Sequence, residues 1–115
     1  MGLSQQQAGV IAEQQAARFL QQQGLHELKK NYHCRLGEIN LVMQDGATLV
    51  FVEVRQRRDV RFGDALESID TRKQRRIRQA AEHYLLHHTW TGPCRFDAIG
   101  INGVGAPPDW VQDAF

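Results

Sequence analysis

Two periodicities alternate along the chain. From Gln5 to Gln23, the positions Val10, Ala16, Ala17, Phe19 and Leu20, with Ala8, Ile11 and Ala12, form an apolar stripe among glutamines and predict an amphipathic helix. Ser4 suits its N-cap and Gly24 the residue just past its end. Leu25 to His33 predicts a weakly patterned edge strand. Leu36 to Gln44 and Thr48 to Arg55 then alternate with a period of two around Asp45-Gly46, a dipeptide suited to the centre of a tight hairpin turn. A second helical pattern, carried by Ile77, Ala80, Ala81, Tyr84 and Leu85, runs from about Asp70 to His88 and stops at Thr91-Gly92-Pro93. Arg95 to Ile101 predicts another strand, and Asp109 to Val111 a short last one. Helix, three strands, helix, then one or two strands predicts an α/β fold with helices against a mixed sheet.

The hairpin also predicts which side chains meet. Alternation places Glu38, Asn40 and Val42 on one face of the first strand and Ile39, Leu41 and Met43 on the other. In its partner, Leu49, Phe51, Glu53 and Arg55 oppose Val50, Val52 and Val54. One face of each strand is apolar throughout, whereas the other becomes polar towards the open end. With Asp45 and Gly46 central, Asn40 pairs with Phe51 and Glu38 with Glu53, unless a bulge shifts the register. Two carboxylates directly opposite each other are destabilising unless a divalent cation, Arg55 or a proton neutralises them.

Composition narrows the class. The 115 residues suit a single domain spanning the chain, long enough to bury roughly two-thirds of its unfolded surface. The apolar share of 42% and charged share of 23% are those of a globular chain. The longest apolar run, Leu49 to Val52, is too short for a membrane span, and the start lacks the layout of a signal peptide, so the expected compartment is the cytoplasm. Cys34 and Cys94 are then expected as free thiols. Net charge is only +1, but eleven of the 14 cations are arginine, the side chain suited to bidentate phosphate contacts. Arg55, Arg57, Arg58 and Arg61 form one cluster, and Arg72, Lys73, Arg75, Arg76 and Arg78 another in the first turns of the second helix, against the preference of the helix dipole. Each cluster reads either as a solvated face or as a contact to an anionic partner, nucleic acid above all.

Oxygen ligands at the rim of a sheet suit Mg²⁺, which polarises a phosphoryl oxygen and acidifies an attacking water in phosphodiester hydrolysis. Glu38 and Glu53, with Asn40 and Arg55 as neighbours, stand at that rim. The string Gly37-Glu38-Ile39-Asn40-Leu41-Val42, followed by Phe51-Val52-Glu53-Val54-Arg55, resembles the core of the YraN family. These are bacterial proteins similar to Holliday-junction resolvases of the PD-(D/E)xK nuclease superfamily. Gly9, Ala12-Glu13, Glu67-Ser68-Ile69, Lys73, Arg95-Phe96-Asp97, Trp110 and Asp113-Ala114-Phe115 extend the match over nearly the whole chain.

The resemblance implies a restriction-endonuclease-like three-layer core, with a central antiparallel hairpin in a mixed sheet flanked by helices. It implies a catalytic set of Glu53, Arg55, Asn40 and Glu13, with Mg²⁺, or Mn²⁺ in its place, on Asn40, Glu53 and Glu38. Branched or single-stranded DNA is the implied substrate, Arg57, Arg58, Arg72, Lys73 and Arg76 its backbone contacts, and a homodimer the implied assembly. Two positions depart from the superfamily pattern: Arg55 stands in the lysine place, and Asn40 where aspartate is usual. Guanidinium stays protonated and cannot act as a general base. Losing a unit charge about 4 Å from a dication forfeits roughly 8 kcal/mol of gross attraction at an effective dielectric of 20, before desolvation offsets much of it. The alternative is therefore a non-catalytic module that keeps the fold to bind nucleic acid or protein.

Other residues read structurally. Asp97 is expected to bond Arg95 or backbone groups, and Trp90, Trp110 and Phe115 to cover the core. His83 and His87 have a zinc-chelating spacing, but the residues between them lack the glutamate of a zinc-protease helix, and no CxxC accompanies the cysteines.

Overall fold

The computed structural model describes residues 2, 4–57, 65–102 and 106–115. Helix α1 (Gln5–Gln22) begins at a full capping box: the Ser4 hydroxyl accepts from the Gln7 N–H, and the Gln7 side chain accepts from the Ser4 N–H. Gly24, at φ 97°, turns the chain out of the helix. Strands β1 (His26–Cys34), β2 (Gly37–Asp45) and β3 (Thr48–Arg57) follow. After a 3₁₀ turn at Ala65–Ser68 comes helix α2 (Thr71–His87), N-capped by Asp70, then β4 (Cys94–Asn102) and β5 (Asp109–Val111). The sheet order among the described residues is β1-β2-β3-β4-β5, with β3 and β4 parallel and the other neighbours antiparallel. Parallel neighbours need a long crossover, and α2 lies in it.

Alternation along the strands divides the core into two layers. Val50, Val52 and Val54, with Leu41, Met43, Ile99 and Ile101, meet Ala12, Ala16, Ala17 and Leu20 of α1. Leu49, Phe51, Val42 and Ile39 meet Ile77, Ala80, Ala81 and Tyr84 of α2 on the opposite face. The result is a helix, a mixed sheet and a helix. The buried stripe of α1 runs through Ala8, Ala12, Ala16 and Leu20, one residue every four. Val10 and Ile11, expected in that stripe, lie outside it and are 47% and 39% exposed. Small side chains at that spacing let the helix backbone sit close to the valines of β3.

The hairpin register differs from the expected one. Asp45 pairs with Thr48, Val42 with Phe51 and Leu41 with Val52, so Gly46 and Ala47 are the central turn residues. Gly46 takes φ 59° at the first central position, the place glycine occupies in a II′ turn. Asp45 stays in the strand, 2.9 Å from Nη2 of Arg95. The predicted Glu38–Glu53 and Asn40–Phe51 pairs are therefore not formed. Face alternation also breaks within β2. Ile39 joins the α2 layer, Asn40 reaches α1 and the next residue, Leu41, also belongs to the α1 layer. Ile39 thus does not share a face with Leu41 and Met43, nor Asn40 with Val42. The distortion lies beside Asn31 of β1, whose φ of 53° is left-handed, a conformation asparagine tolerates better than most residues.

Candidate functional site

Strands β2 and β3 part company beyond Leu41 and Val52, the last pair in their ladder. Past that point β3 continues alongside β4 alone, from Glu53 opposite Ala98 to Arg57 opposite Asn102. The side chain of Asn40 bridges the gap. Its Oδ1 accepts the Val54 N–H at 2.8 Å, taking over a backbone donor that the departing strand leaves behind. Its Nδ2 donates to Glu13 Oε1 of α1 at 3.1 Å. Asn31 lies close to the Glu13 carboxylate, and burial, partly offset by these two amides, holds the Glu13 carboxyl above its ordinary range. Glu38 lies near enough to raise it further and itself pairs with His33 at 3.2 Å. Glu13, Asn31, Glu38 and Asn40 thus form one polar group on the α1 side.

Glu53 belongs to the other layer. It is 3% exposed, and its Oε2 lies 3.5 Å from Lys73 Nζ in the first turn of α2. Burial pushes the Glu53 carboxyl up, against the opposing pull of Lys73 and Arg55. Glu53 Oε2 and Arg55 Nε are buried without a hydrogen-bond partner. Arg55, with Glu13, Gly9, Val54, Gln56 and Ser68, lines a cavity of about 520 Å³ between α1 and the end of β3.

The candidate residues therefore fall into two neighbouring groups, Glu13–Asn40 and Glu53–Lys73, with Glu38 near enough to raise both carboxyls and Arg55 adjoining both. No group of three or more His, Cys, Asp or Glu placed to hold a metal ion occurs among the described residues. Where a bridging cation would join Glu13 to residue 40, the structure has an amide N–H₂, a donor that cannot ligate. Glu13, Glu38 and Glu53 remain as oxygen donors, but this set, as arranged, is a poor match for Mg²⁺.

The basic start of α2 reaches the second group through Lys73. Arg72, Arg75 and Arg76 are exposed, whereas Lys73 turns in to Glu53. Gly37 fixes the approach of β2 to the helix, since a Cβ there would come within 2.5 Å of the Arg76 carbonyl oxygen. Arg35, two residues before it in the β1–β2 turn, is exposed. Arg57 closes β3, and Arg58 lies outside the described residues. The sequence reasoning missed Arg35 and Asn31. An asparagine within an otherwise strand-like run was the one available signal for the second.

A mixed five-stranded sheet covered on both faces, with a carboxylate–amide cluster where its hairpin opens, defines an α/β domain with a polar cleft at one sheet end. The sequence pattern described as "Uncharacterised protein family UPF0102" matches residues 12–101. A UPF0102 protein of Nitrosomonas eutropha is 55% identical over 107 residues, covering 93% of this chain and 91% of the relative. One of Nitrosococcus oceani is 50% identical over 114 residues, 93% and 90% of the two chains. One of Pseudomonas syringae pv. syringae is 50% identical over 117 residues, 97% and 95%. The chain belongs to the UPF0102 family, the YraN family whose motifs it carries.

Proposed function

We propose that this protein binds the sugar–phosphate backbone of DNA on a nuclease-like, restriction-endonuclease-related scaffold, with branched or single-stranded DNA as its substrate class, and that Asn40 has reduced any Mg²⁺-dependent cleavage to a weak side activity. The observation that carries this reading is the fastening of the α2 start onto the open hairpin, through Gly37 against Arg76 and Lys73 against Glu53. It holds the helix turns that carry the exposed Arg72, Arg75 and Arg76 against the hairpin, and it already pairs Glu53 with Lys73. Exposed guanidinium groups on a rigid helix end are suited to phosphate contacts. The reduced chemistry follows from Asn40, whose amide holds Glu13 and the Val54 N–H together without a cation.

The test is fluorescence anisotropy at low salt with branched, single-stranded and duplex DNA, alongside cleavage assays in Mg²⁺ and Mn²⁺. The expected result is binding that falls at least tenfold in an Arg72→Ala/Arg75→Ala/Arg76→Ala variant, with cleavage near background. Vigorous metal-dependent cleavage abolished by Glu53→Ala would replace this reading with that of an active endonuclease. No binding to any of the three DNAs would leave a protein-interaction module.

A further inference from the structure

The C-terminal half of α2 carries a cluster with no part in the nucleic-acid reading. His83 and His87 stand one helical turn apart, with ring centroids 4.4 Å from each other. The Tyr32 hydroxyl of β1 hydrogen-bonds Nδ1 of His83, and the Tyr32 ring packs edge-on to Tyr84 at 5.1 Å. His88 is committed elsewhere: its ring stacks on Tyr84 at 3.9 Å, and its Nδ1 donates to the Tyr84 carbonyl at 2.9 Å.

We infer that His83 and His87 form a two-imidazole binding site for a late first-row dication such as Zn²⁺, Ni²⁺ or Cu²⁺. Residues four apart on a helix project to the same side, and imidazole is the ligand these ions share. Engagement of Nδ1 by Tyr32 leaves Nε2 as the ligating atom of His83. With a cation on Nε2, Nδ1 carries the proton and donates to the tyrosine oxygen, the kind of outer partner that holds ligating histidines in place. His87 is exposed, so the ion enters from solvent, and water completes its coordination. Two protein ligands make this an open, exchangeable site rather than a closed structural one. The affinity order expected for such a site puts Cu²⁺ first.

The test is calorimetric titration of the whole chain with Zn²⁺ and with Ni²⁺ under a non-chelating reductant, with histidine ring resonances followed by NMR. The expected result is one saturable site whose affinity drops at least tenfold in His83→Ala and in His87→Ala, and several-fold in Tyr32→Phe. The exposed His87 allows its variant to keep the wild-type melting temperature, which separates ligand loss from misfolding. A Cys34→Ser variant should bind as the wild type does. No saturable binding, or binding that survives His87→Ala and disappears in Cys34→Ser, would overturn the proposal.

Discussion

At the scale of single residues, Asn40 decides the chemistry of the cleft. An aspartate in its place could still accept the Val54 N–H but would lose the donor to Glu13, leaving two carboxyl groups at about the 3.1 Å now spanned by the amide. We expect Asn40→Asp to destabilise the metal-free protein at neutral pH by about 1–3 kcal/mol, the range for a broken and unsatisfied buried contact. A proton or a cation would relieve the repulsion. Thermal melts should therefore show the variant recovering stability on acidification and on adding millimolar Mg²⁺ or Mn²⁺, with a smaller metal response in the wild type. A variant as stable as the wild type and indifferent to metal would contradict this role for the amide. Glu53 gives a second prediction. Its folded-state pKa is raised above the ordinary 4.5 by burial, so between those values the folded protein binds more protons than the unfolded one. Its contribution to stability is full below about pH 4.5 and is lost as pH rises through the folded value. Glu53→Gln should flatten that part of the stability–pH profile, measured by urea unfolding at a series of pH values. An unchanged slope would show that the carboxyl is less desolvated than its surroundings imply.

At the scale of elements, the helices could be read from the sequence because their ends carry local chemistry, Ser4 and Gly24 for α1 and Asp70 for α2. The sheet order around α2 follows from the same pattern, since a helix between two strands makes a crossover. The hairpin register could not be fixed in this way. Gly46 can supply a positive φ at either central turn position, and the choice falls to Arg95, which holds Asp45 in the strand from β4. Nor does any local signal mark the break in alternation at Asn40, which depends on Glu13 reaching over from α1 and on the left-handed Asn31. The candidate site was thus legible as a set of residues and illegible as a geometry. The chain end shows a longer-range case. Asp97, fully buried, accepts from Arg95 Nε at 2.9 Å, Trp110 Nε1 at 3.0 Å and the Asp113 N–H at 3.0 Å. Removing one member of a buried charge pair costs about 3–5 kcal/mol, so Asp97→Ala should lower stability by that order. Hydrogen exchange should speed up at Asp113, whose amide loses its acceptor. Normal protection there would show that the Ala114 bond to the Phe96 carbonyl (2.7 Å) and Phe115 against Phe96 hold the end unaided.

At the scale of the whole molecule, a net charge of +1 gives little long-range attraction for a polyanion. Any affinity for DNA must come from cations that touch phosphates, because the Debye length near physiological salt is only about 8 Å. Arg35 of the β1–β2 turn and Arg72, Arg75 and Arg76 of α2 are exposed and are the cations on which the proposed contact rests. Lys73 is engaged with Glu53 and should release no counterion of its own. If three or four of these arginines neutralise phosphates, log K should fall with log[salt] with a slope of about −3 to −4 on duplex DNA and about −2 to −3 on single strands. Raising salt from about 50 to 200 mM would then weaken duplex binding roughly a hundredfold. Each arginine replaced by alanine should reduce the slope by about one, whereas Lys73→Ala should leave it unchanged and lower stability instead, since it strips the buried Glu53 of its ammonium partner. Gly37→Ala couples the two effects. The added Cβ must push β2 off the Arg76 carbonyl, at about 1–3 kcal/mol for overpacking, and the shifted helix start should weaken binding without changing the charge. A slope near zero, or one that ignores the arginine substitutions, would mean that these cations are merely solvated and that the cleft meets an uncharged partner.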